Sequence, residues 1–133
     1  MLEYFLGFLG LGLTSLQRAD DRKLRALTIL SNIDAAVIES AMMLDFEIVR
    51  LRDVAVSAGI DPEVVINSLV VMRAQCEQIR DMANTNRALV NEKGASVEGI
   101  GALEQWAGTC SQLAKQVVLS VQHIEDAIAR PRW

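Results

Sequence analysis

The chain has 133 residues, enough for one domain with a core of its own. Its residues are 51% apolar but only 5% aromatic, which excludes an aromatic-rich core and leaves one of Leu, Ile, Val, Ala and Met. The net charge of −4 is divided evenly between the two halves, so there is no basic face for nucleic acid, and no nucleic-acid partner is expected. With two prolines and no turn signals at regular short spacing, an all-β fold is excluded as well.

Residues 2–16 are apolar, punctuated by Gly7, Gly10 and Gly12, and hold Tyr4, Phe5 and Phe8, three of the chain's four Phe and Tyr residues. Such a segment calls for cover by the chain's own core, by another subunit or by a lipid interface. It opens with Glu3 rather than a cation and has no small-x-small cleavage pattern, unlike a secretory signal. Its uncharged run from Tyr4 to Gln17 is 14 residues. As a helix that is about 21 Å, short of a bilayer core of about 30 Å. The spacing of Thr14 and Gln17 fits a capping box and predicts a boundary there. Residues 1–17 are thus read as a short apolar helix, and 18–133 as the bundle domain.

A long helix is expected from residue 18 to Ala58, with no Gly or Pro inside it and Gly59 after it. Its apolar stripe is Leu24, Leu27, Leu30, Ile33, Val37, Ala41, Leu44, Ile48, Leu51, Ala55 and Ala58, in steps of three and four. Asp20–Lys23 and Asp21–Arg25 have the spacing of supporting ion pairs along one helix. A second start signal at Ser31 to Asp34 allows a kink.

The next helix has a clear start: Asp61 as N-cap, Pro62 at the first helical position, Glu63 at the positive end of the dipole. Residues 64–71 alone suit a strand, but the start signal overrules that. Val65, Leu69, Met72, Cys76, Ile79, Ala83, Asn86 and Val90 form a heptad seam of coiled-coil type, closed by Lys93 and Gly94. Asn86 is either a register-setting buried amide or the point where the seam drifts and Leu89 turns inward. Residues 94–101 are expected to be the connection, with a hesitant helix start at Ser96 and turn flexibility at Gly99 and Gly101. The last helix carries Leu103, Trp106, Cys110, Leu113, Val117, Val121, Ile124 and Ile128, and ends at Arg130–Pro131. Met42, Met43, Met72 and Met82 are read as gap-filling core.

Little in this pattern carries chemistry. The lone His123 has Ser120 three residues before it, which removes the Glu-x-x-His pairs of a di-iron bundle. No nucleophile elbow is present. Gly99 and Gly101 are flanked by Glu98 and Glu104, which would repel a phosphate. Cys76 and Cys110 lack metal-ligand spacing. They read as small buried hydrophobes, with a disulfide between facing helices or a reactive thiol as alternatives. If their helices pair across Gly94, they lie 18 and 16 residues from it, near one level.

The expected fold is therefore all-α: three long antiparallel amphipathic helices preceded by a short apolar one. No catalytic centre, cofactor or metal is expected. The expected function is that of a non-enzymatic structural subunit that forms a homo-oligomer or docks into a larger assembly. Its contacts would be Tyr4, Phe5, Phe8 and Leu9, with Trp133 at the other end. The alternative is a membrane-associated helical protein whose N-terminal segment enters a lipid interface, as part of a translocation or ejection apparatus.

Overall fold

Leu11 to Ala58 forms one helix of 48 residues, α1, unbroken at Thr14–Gln17 and at Ser31. The computed structural model describes the backbone of residues 11–58 and 61–129, and the side chains of 18–54 and 61–129. Two further helices follow: α2, Pro62–Lys93, and α3, Val97–Ala129. Among the described residues there is no strand. The expected separate N-terminal helix is therefore corrected: its described part, from Leu11 on, is the first turns of α1. A cap signal is worth about 1 kcal/mol, whereas continuing a formed helix avoids a second nucleation. With no Gly or Pro between residues 13 and 58, propagation wins. Tyr4, Phe5, Phe8, Leu9, Gly59 and Trp133 lie outside the described residues.

The start of α2 follows its signals. The Glu63 backbone N–H donates to Asp61 Oδ1 at 3.0 Å, and Pro62 opens the helix. Gly94 ends it at φ 76°, its N–H donating to the Val90 carbonyl at 2.8 Å. The connection to α3 is shorter than expected. Ser96 Oγ accepts from the Gly99 N–H at 3.0 Å, so helix begins at Val97 and takes in Gly99 and Gly101. The two glycines are early helix, not turn.

α1 packs closely along both other helices, while the backbones of α2 and α3 approach each other little. The larger core joins Ile33, Val37, Leu44, Ile48 and Leu51 of α1 to Ile66, Leu69 and Cys76 of α2 and Cys110, Val117 and Val121 of α3. A second cluster of Ala26, Leu30, Ala83, Val90 and Ile100 lies at the other end, with Trp106 packed against both. These are nearly the expected stripes. Four apolar positions differ. Leu24 is 66% exposed and Ala26 is buried in its place; Ile66 and Ile100 are buried although outside the stripes. Asn86 is half-buried, its amide donating to the Met82 carbonyl at 2.8 Å, and Leu89 stays exposed.

Polar contacts set the register. Along α1 and α2 the partners run in opposite numerical order: Lys23 with the Asn91 carbonyl, Asp34 with Arg87 and Arg80, Asp45 with Arg73. Along α1 and α3 they rise together, from Arg25 with Glu104 to Arg50 with Glu125. Arg22 also donates to the Ala95 carbonyl at 3.1 Å. The basic residues 22 and 23 thus satisfy free carbonyls at and beyond the C-terminal end of α2, where the dipole favours cations. They do this rather than pair with the aspartates of their own helix.

Candidate docking site

α1 has two apolar faces, and the core uses one. On the opposite side, Leu24, Ala35, Ile38, Met42, Phe46 and Val49 recur at helical spacing. Met42, Phe46 and Val49 are 67%, 70% and 60% exposed. Large apolar side chains scattered singly on a surface are ordinary, whereas from Ala35 to Val49 they follow one another turn by turn, the kind of patch that makes a candidate docking surface. α2 adds exposed Val64, Val71 and Met82, and α3 adds Val118 and Leu119. Met42 and Met82 are therefore surface residues, while Met43 and Met72 are half-buried against the core.

Beside this row, α1 and α3 leave an open groove of about 480 Å³. Ala36, Ser40, Ser111 and Ala114 keep it shallow-walled with small side chains; Met43, Val118 and Leu119 make it apolar; Glu39 and Lys115 bring opposite charges to it. Neither charge has an ion-pair partner among the described residues. A site of this size and polarity suits an apolar side-chain cluster with one charge at its edge. Another hollow among the described residues, of about 240 Å³ at Asp21, Arg22 and Arg25, is smaller and carries more charge.

Two arginines elsewhere serve as structural ties. Glu47 is buried and accepts from Arg50 Nη2 at 2.7 Å; Glu125 lies 3.6 Å from the same nitrogen. The hydrogen bond to Glu47 holds the Arg50 guanidinium above its ordinary pKa. Arg73 is raised in the same way by its bonds to Asp45 at 2.9 Å and Glu77 at 2.7 Å. Cys76 and Cys110 are free, buried thiols within one core cluster. Burial pushes both thiols up; the neighbouring Cys76 adds to the rise at Cys110, and Arg73 opposes it at Cys76.

His123 is exposed and has no hydrogen bond or ion pair among the described residues. No group of three or more His, Cys, Asp and Glu side chains there is arranged to hold a metal. The outer row and the groove were missed in sequence because the stripe through Leu30 and Leu44 already satisfied the pattern. One signal could have found them: Phe46, an aromatic three-quarters of the way along α1, falls off that stripe. Comparison with protein-family models, curated proteins and solved structures finds no match to this chain.

Proposed function

We propose that the protein is a non-enzymatic helical assembly subunit, built as a bundle in which α1 runs antiparallel to α2 and in the same sense as α3. It associates with further copies of itself or with a larger complex, and residues 2–16 take part in the contact. The observation that carries this reading is the outer face of α1, whose Met42, Phe46 and Val49 the chain's own core leaves uncovered. The opposing order of ion pairs along α1 and α2 supports the antiparallel arrangement. The test is removal of residues 1–13 followed by light scattering and circular dichroism. The expected product is smaller in mass and equally helical; retention of the full-length assembly size would overturn the role of the segment.

A second reading places these surfaces against lipid. The stretch Arg18–Val54 is long and apolar enough to cross a membrane by length and composition, and only 28% of its most apolar window is buried within the chain. Native mass spectrometry with and without detergent separates the two readings. Oligomers that persist in detergent-free buffer support the assembly subunit; solubility that depends on detergent supports the lipid interface.

A further inference from the structure

We propose that the groove between α1 and α3 receives residues 2–9 of a second copy of this chain, so that subunits join head to tail. This rests on the assembly reading above and names the surface that the N-terminal segment meets. The occupant follows from three observations. The groove is apolar and spans residues 36–43 of α1 and 111–119 of α3. Residues 2–9 match it in character: Phe5, Phe8 and Leu9 have the spacing of one helical face, an apolar face that suits the wall of Met43, Val118 and Leu119 above the small side chains Ala36, Ser40, Ser111 and Ala114. Glu3, the one acidic side chain among residues 1–17, is opposite in charge to the unpaired Lys115 on the α3 wall of the groove, across from Glu39 on the α1 wall.

Geometry then decides between a chain's own segment and a neighbour's. α1 is continuous from Leu11, so the near edge of the groove at Ala36 is about 38 Å along the helix at 1.5 Å per residue. Even Leu2, nine residues before Leu11, reaches at most about 32 Å fully extended. The segment cannot fill the groove of its own chain. A second copy is under no such limit of reach. Such a contact joins two different surfaces, so it is heterologous and propagates into a ring or an open filament.

Complementation tests this directly. One variant lacks residues 1–10 and keeps the groove; the other, V118E/L119E, keeps the segment and closes the groove. Val118 and Leu119 are 40% and 56% exposed, so both chains should hold their helical content by circular dichroism. Each variant alone should dissociate on the order of 30-fold more readily than the parent chain, the scale of losing an interface anchor. Mixed, the two should form a 1:1 complex that grows no further by native mass spectrometry. If the deletion dissociates the assembly but V118E/L119E does not, the segment docks elsewhere: the groove assignment falls and the assembly reading stands. If both variants dissociate yet fail to pair with each other, head-to-tail exchange is overturned. If neither variant changes the assembly, both the groove assignment and the role of the segment fall together. Loss of binding to phosphatidylcholine vesicles on deletion, with no self-association in the parent chain, assigns the segment to lipid and overturns the proposal.

Discussion

Arg50, three residues beyond the buried Glu47, donates to its carboxylate at 2.7 Å and lies 3.6 Å from Glu125 of α3. Glu47 is 1% exposed, between Leu44 and Leu51 on the core side of α1. An ion pair of this kind gains little over an apolar pair, because desolvation cancels most of its attraction, yet breaking it strands a charge. Arg50→Ala should therefore cost about 3 kcal/mol. Glu47→Met, which removes the buried carboxylate and leaves a half-exposed Arg50 that water can reach, should cost less than about 1 kcal/mol or stabilise the chain. Urea denaturation of the two variants measures this. Equal losses would show that the pair itself, rather than the stranded carboxylate, sets the cost.

The exchange of Leu24 for Ala26 at the core gives a second expectation. Leu30→Ala should lose about 2–5 kcal/mol by opening a cavity at a fully buried site. Leu24→Ala, at a 66% exposed site, should stay within about 0.5 kcal/mol of the parent. Ala26→Leu should cost about 1–3 kcal/mol by overpacking. Thermal melts of the three variants settle the helix phase; a large loss at Leu24 would place the core on the face read from the sequence stripe.

Gly94 holds the turn between α2 and α3 at φ 76°, with open space where a Cβ would stand. The cost of Gly94→Ala is therefore backbone strain, about 1–3 kcal/mol, without a steric clash. Gly101→Ala, also in open space but inside α3, should stabilise by about 0.5–1 kcal/mol. Opposite signs in chemical denaturation are the expected result, and the same sign at both positions would contradict the assigned turn.

The two thiols carry a pH dependence. Burial raises both in the folded chain above the ordinary thiol range. The unfolded chain therefore releases these protons first as pH rises. Their contribution is full below the ordinary thiol range and is lost as pH climbs through the raised folded values. Stability should fall between about pH 8.5 and the raised folded range, with unfolded thiols titrating near 8.5. The C76A/C110A chain should show a shallower alkaline decline in melting temperature than the parent; identical slopes would remove the thiols as the cause.

The amino-acid order by itself determined what is local. Asp61, Pro62 and Glu63 start α2, and Gly94 ends it, because the cap, the fixed proline φ and the left-handed glycine act within a turn of the residues that carry them. The steps of three and four through Ile33, Leu44, Cys76 and Val117 likewise mark buried faces wherever the partner helix comes from. Only the tertiary structure decided the rest. Whether Thr14 to Gln17 starts a helix or is passed over depends on the cost of nucleating a second one, which no short motif records. Leu24 and Ala26 are two residues apart and each fits a helical stripe; the direction from which α2 and α3 approach selects the smaller. The row Met42, Phe46 and Val49 has the same periodicity as the core stripe, turned to the other side of α1. Periodicity tells that a face is apolar. Which face the chain covers, and which it leaves exposed, is set by where two distant helices happen to lie.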